Sequence, residues 1–306
     1  MKINILSLFN KSKIFYLDVK KSENKSYETI KKYSQVLESF YNFIVQKYEI
    51  NPELSLYNFD KFLLSEYIST KGDLSQNTLA NQITIIKGFI FFMADENIEI
   101  AGNIKSSLSK FNIKIIHKTK SSFTKDEFDK LIEYIKKLEY KKDFISQRNC
   151  LILKLLLFTG LRASELCSIK SSEIQITNDM YLIKIHGKGK KERTAQIHKE
   201  LIEQNLELIK NDTEYLIVTN RNNPLSRQIL YSNMLTCLRR AGVFKSGIHI
   251  FRHSFGDYLH ELGYPIQTIS AMLGHSNIKI TYDFYFREHN QTKKEIASEI
   301  YKIYKE

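Results

Sequence analysis

Apolar residues recur at helical spacing through the first third of the chain. Ile30, Tyr33, Leu37, Phe40 and Ile44 step by three and four residues after Ser26, a residue type that caps helix N-termini. Leu79, Ile83, Ile86, Ile90 and Met93 repeat the pattern after Ser75. Between these stripes a shorter helix is predicted from Leu54 to Ile68, ending before Lys71-Gly72. The period is lost from Ser106 to Ser122, where Lys110, Lys114, Lys118 and Lys120 are interspersed with Ser and Thr, the composition of a tether. The predicted organisation is an N-terminal helical domain over 1–117, a linker over 118–122 and a second domain over 123–306.

The second domain opens on a capping box, Thr124-Lys-Asp-Glu127, which predicts a helix from Lys125 to Leu138. Phe144 to Phe158 is nearly all apolar and reads as a buried helical spine. Three strands are then predicted, Glu173–Ile176, Tyr181–Ile185 and Arg193–Ile197. The last two flank Gly187-Lys188-Gly189-Lys190-Lys191, a hairpin by its glycines. From Leu201 the helical period returns, broken at Asn220–Pro224 and at Ser246-Gly247. The expected class is mainly α: a helical domain followed by an α+β domain with a small three-stranded antiparallel sheet.

Composition adds a partner. The hydrophobic fraction of 42% and charged fraction of 26% suit an ordinary globular chain, but the formal charge is +12. That surplus points to a polyanion. Arginine is scarce, with nine in the chain and none before Arg148, so each one kept marks a place where a planar fork of donors is wanted and lysine would not serve. Arg162 and Arg252 draw attention first. Cys150, Cys167 and Cys237 are sparse and unpaired in pattern, as in a reducing compartment. The first 20 residues are interrupted by Asn10, Lys11 and Lys13 and do not form a secretory signal, and no run of 18 apolar residues occurs. A cytoplasmic protein is expected.

The chemistry lies in five stretches beyond residue 158: Thr159-Gly-Leu-Arg162-Ala-Ser-Glu165-Leu166, Gly187-Lys188-Gly189, His249-Ile-Phe-Arg252-His253, Leu273-Gly-His275-Ser276 and Tyr285. His249 and Arg252 are three apart on a predicted helix and share a face near its N-terminus, which favours an anion. Arg162 opens a helix after a turn, and Glu165 one turn on can orient it. Two guanidiniums neutralise a phosphodiester, a lysine or histidine moves protons, and a tyrosine accepts phosphorus. A zinc site on His249, His253 and His275 is the competing assignment. It lacks the Glu that a helical zinc hydrolase needs after the first histidine, where this chain has Ile250, and Arg252 between the two would repel a cation.

Taken together, these stretches resemble the tyrosine recombinase family, of phage integrase and Xer type, and the similarity extends over nearly the whole chain. The resemblance implies a core-binding (SAM-like), DNA-binding N-terminal domain and a catalytic C-terminal domain. It places the catalytic positions on Arg162, Lys188, His249, Arg252, His275 and Tyr285, with Glu165 in support. Many Xer-like sequences carry the nucleophile nine residues after the histidine of Leu-Gly-His, where this chain has Phe284. Other integrases place it ten residues on, and Thr281-Tyr-Asp283-Phe-Tyr285 fits that form, with Tyr282 as the competitor. The implied activity cuts and rejoins double-stranded DNA through a 3′-phosphotyrosine, without cofactor or metal. The ten-residue spacing weakens a chromosomal Xer role relative to a mobile-element integrase; integration, excision and chromosome dimer resolution all stay open, as does a need for an accessory activator protein. The apolar stripe Ile296, Ile300 and Ile303 is expected to form an exchange helix over about 291–305, passed in trans within a dimer or tetramer on DNA. A type IB topoisomerase-like enzyme and a catalytically inactive DNA-binding protein are the alternatives.

Overall fold

The computed structural model describes residues 4–95, 98–115, 122–187, 192–275, 277–278 and 281–282. Lys188, Tyr285 and the predicted exchange helix lie outside these described residues. The chain divides into two compact units, Met1–Lys118 and Thr119–Glu306.

Unit 1 is helical: α1 (Ile5–Ser22), α2 (Tyr27–Ile50), α3 (Lys61–Ser69), α4 (Gln76–Ala94) and α5 (Ile98–Ser109). Ser26 and Ser75 cap α2 and α4 as predicted, their hydroxyls accepting from the backbone N–H of Thr29 and Thr78. Leu37, Phe40 and Ile44 of the first stripe and Ile83, Ile86, Ile90 and Met93 of the second are buried. Phe9 of α1 packs between the helices, its ring centroid 6.0 Å from that of Phe40 and 4.7 Å from that of Phe89. The helix expected over Leu54–Ile68 is shorter than predicted. Asn58 accepts from the Ser55 backbone N–H at 2.9 Å, and Asp60 accepts from Phe62 and Leu63 at 2.9 and 3.0 Å. Local side-chain bonding thus sets a turn of 3₁₀ helix at Leu56–Asn58 and delays α3 to Lys61. The tether-like stretch from Ser106 also begins inside α5, which runs to Ser109.

Unit 2 contains α6 (Lys125–Glu139), α7 (Phe144–Thr159), α8 (Ala163–Ser168), β1 (Ile174–Ile176), β2 (Met180–His186), β3 (Glu192–His198), α9 (Lys199–Leu208), α10 (Arg227–Arg240), α11 (His249–Glu261) and α12 (Ile266–Leu273). The sheet is antiparallel in the order β1-β2-β3, with Ile185 opposite Arg193 and His186 opposite Glu192. Mainly helical structure with one small sheet agrees with the hydrophobic pattern. The spine α7 packs against α6, α9, α11 and β3. It also buries polar side chains that an all-apolar reading passes over, Gln147, Arg148 and Lys154 among them. Lys154 is satisfied by Glu139 at 2.5 Å and by the Asn205 side-chain oxygen at 2.7 Å, as a buried ammonium requires. Among the described residues no helix is long and apolar enough to cross a membrane.

Candidate active site

α7 ends at Gly160, whose φ of +59° is left-handed. A Cβ there would meet Phe255 Cδ1 at 2.5 Å, so only glycine lets α7 stop against α11. Two residues later Arg162 caps α8 with extended backbone, and its side chain is about one-third exposed at 32%. Glu165, three residues on and 4% exposed, folds back on it. One carboxylate oxygen accepts from the Arg162 backbone N–H at 2.8 Å, and the other from the Arg162 Nη1 at 2.5 Å. The capping residue and its arginine are thus fixed by one carboxylate.

The second guanidinium comes from α11. Arg252 is buried at 5% exposure; its Nη1 donates to the Gly160 carbonyl at 2.8 Å and its Nη2 donates to the Leu273 carbonyl. Leu273 ends α12, and Gly274 follows in left-handed conformation with φ +63°. The Arg162 Nη2 donates to the carbonyl of that same Gly274 at 3.1 Å. Both arginines therefore grip consecutive carbonyls of one turn, and Arg252 also grips the turn from which Arg162 springs.

His275 stands directly after this turn. Its backbone N–H donates to the Ser270 carbonyl at 3.0 Å, and its Nδ1 lies 2.7 Å from the Thr281 hydroxyl. Thr281 is fully buried, whereas Tyr282 is 53% exposed. His249 begins α11 one turn before Arg252 and is exposed. Arg162, Glu165, Arg252 and His275 are thus brought to one turn, and His249 stands on the same helix as Arg252.

Arg193 joins this group without having been singled out in the sequence. It is the second residue of β3, and its Nη2 donates to Glu165 at 2.9 Å. Arginine scarcity was the signal that could have found it, since the argument that raises Arg162 and Arg252 applies equally to Arg193. Burial pushes the Glu165 carboxyl upward, but the Arg162 backbone N–H and the Arg193 and Arg162 guanidiniums outweigh it and hold the group below its ordinary value of 4.5. A depressed native value stabilises the fold above the unfolded value, and that contribution is lost as pH falls through the native one. Glu165→Gln is expected to destabilise the protein at pH 7 by ~3 kcal/mol, since it strands two arginines. In urea melts the gap between the variant and the unaltered protein should close as pH falls below the ordinary carboxylate value. A gap of constant size down to pH ~3 would show that the carboxylate charge is not what stabilises.

Residues 121–292 match the model of the phage integrase family. The chain is 28% identical over 302 residues to the tyrosine recombinase XerH of Helicobacter pylori, covering 91% of this chain and 82% of that protein. It is 29% identical over 284 residues to the tyrosine recombinase XerC of Bacillus pumilus, with 88% of each covered. Among solved structures, XerH bound to a palindromic difH substrate in a post-cleavage complex aligns with a TM-score of 0.72 at 27% identity, over 91% of this chain and 82% of that one. A lambda integrase dimer bound to a COC′ core site shares the fold, with a TM-score of 0.63 at 16% identity over 89% of this chain and 96% of that one. Because the family model spans more than half of its length, the chain belongs to the phage integrase family of tyrosine recombinases.

Proposed function

We propose that the protein cuts and rejoins DNA at a specific site, with Tyr285 as nucleophile, Arg162, Arg252 and His275 as the phosphate cradle, and His249 and Lys188 as proton carriers. The observation that carries this reading is the pair of guanidiniums held on the consecutive carbonyls of Leu273 and Gly274, at the foot of His275. A cradle fixed before the substrate arrives does not reorganise as charge builds on phosphorus, which is where preorganised donors act most strongly.

In the proposed step the Tyr285 oxygen attacks the scissile phosphorus, and the phenolic proton passes to His249. The bond from phosphorus to the 5′-oxygen breaks, and Lys188 supplies that oxygen with a proton. The 3′-phosphotyrosine keeps the energy of the phosphodiester, so a 5′-hydroxyl from another strand can reverse the step without ATP. The Nδ1 contact with Thr281 orients the His275 ring, which supports Nε2 as the nitrogen that reaches the phosphate.

Unit 1 is assigned as the core-binding, DNA-binding domain, 123–306 as the catalytic domain and 118–122 as the link. The partners are double-stranded DNA and further copies of the chain, a dimer to tetramer in which the stripe Ile296, Ile300 and Ile303 is exchanged in trans. XerH, which is similar over most of its length, has been captured on difH DNA both before and after cleavage. The assigned site of action is the cytoplasm.

Denaturing capture of protein-linked fragments from the host genome would supply the target. Two duplexes bearing that target, each with its own fluorophore, are then mixed with the protein. Chimeric product carrying both labels is expected. Relaxation of supercoiled DNA with no exchange, or an absence of any covalent link, would overturn the proposal.

A further inference from the structure

We propose that Arg193 is a positioning residue of the reaction: it balances the charge of Glu165, so that the Arg162 guanidinium keeps its own charge for the scissile phosphate. The inference rests on the reading of Arg162 as a phosphate-binding residue.

The charges around Glu165 carry the argument. Its carboxylate takes three donors, the Arg162 backbone N–H, the Arg162 Nη1 and the Arg193 Nη2. A lone Arg162–Glu165 pair would be neutral. An approaching phosphate would then meet a dipole, whose attraction falls off faster with distance than that of a charge. Arg193 restores a net charge of one to the group. Glu165 is its ion-pair partner, and among the described residues no second carboxylate pairs with it. Its side chain is 13% exposed, and its Nε is buried with no hydrogen-bond partner among the described residues.

Position reinforces charge. Arg193 directly follows Glu192, where β3 emerges from the segment that carries Lys188, and it pairs in register with Ile185 of β2. Its stem lies along the turn that holds Arg162. A Cβ on Gly274 would come within 2.7 Å of Arg193 Cδ and 2.9 Å of its Nε. One side chain therefore touches the carboxylate on one side of Arg162 and the turn whose carbonyl binds the other side. The start of β3, the Gly274 turn and the first phosphate-binding arginine are mechanically one unit.

The test is single-turnover cleavage of a nicked suicide duplex carrying the target, with DNA affinity and thermal melts measured on the same proteins. The unaltered protein must form the covalent adduct; if it forms none, the proposed function fails and not this inference. Given that adduct, Arg193→Gln is expected to slow cleavage by about 30-fold with DNA affinity within about threefold, the scale seen when a residue acts through another. Adding Glu165→Gln to Arg193→Gln removes the unbalanced carboxylate and should recover about tenfold of the loss, a non-additivity typical of coupled charges. A side chain that merely fills space would not be rescued in this way. Cleavage by Arg193→Gln at the unaltered rate, or a double variant no faster than the single one, overturns the proposal. Should Arg193→Gln fail to fold, the double variant decides alone, because removing both members of a buried pair is far less disruptive than removing one. If folded and bound to DNA, it supports the proposal by cleaving within about tenfold of the unaltered protein, and overturns it by being inert.

Discussion

Tyr285→Phe is expected to abolish the covalent protein–DNA adduct, a loss of ~10⁴-fold or more in cleavage, while DNA affinity stays within a factor of ~2. The substitution removes one hydroxyl and leaves the ring, so a binding surface made of that ring would scarcely notice. Phe284, at the position nine residues after His275, has no oxygen to attack phosphorus. Tyr282 is the alternative, and the neighbouring geometry argues against it. Thr281 is buried with its hydroxyl 2.7 Å from His275, whereas Tyr282 is 53% exposed. Tyr282→Phe should therefore cleave within about threefold of the unaltered protein, as an exposed surface substitution. If Tyr282→Phe is the variant that fails to form the adduct, the nucleophile has been misassigned.

Arg252→Lys should show the second-largest loss, about 10²–10³-fold in single-turnover cleavage, because a phosphate-binding donor is withdrawn from a preorganised site. Lysine keeps the charge but not the fork. The guanidinium spans the carbonyls of Gly160 and Leu273 with its two terminal nitrogens, and a single ammonium cannot hold both in that geometry. A buried carbonyl left without a donor costs ~1–3 kcal/mol, so thermal melts should drop as well. The catalytic loss is nonetheless expected to exceed what the fraction unfolded explains, since most molecules remain folded at 25 °C. A variant that melts lower yet cleaves at full rate would show that Arg252 braces α7 against α12 and does not serve the phosphate.

Much of this was legible along the chain. Ser26, Ser75 and Thr124 announce helix starts because a capping hydroxyl acts on a backbone N–H only three residues away. The strands around the hairpin follow from two glycines and a change of hydrophobic period. Where the reading slipped, at Leu54–Ile68, two short polar side chains at Asn58 and Asp60 overrode an apolar period that continued past them. Buried Lys154 in α7 was invisible for the opposite reason: its partners Glu139 and Asn205 lie on other helices.

The order and spacing of motifs sufficed to identify the family and the candidate residues, since residue types and intervals are properties of a linear string. The string is silent on how those residues are held. Arg252 reaches the Gly160 carbonyl across 92 residues, and Arg162 reaches the Gly274 carbonyl across 112. Arg193 reaches Glu165 across 28, and its part in the site follows only from that meeting. Hydrogen bonds of such separation depend on which helix ends the core brings together, and that is settled by packing around α7 rather than by any local preference.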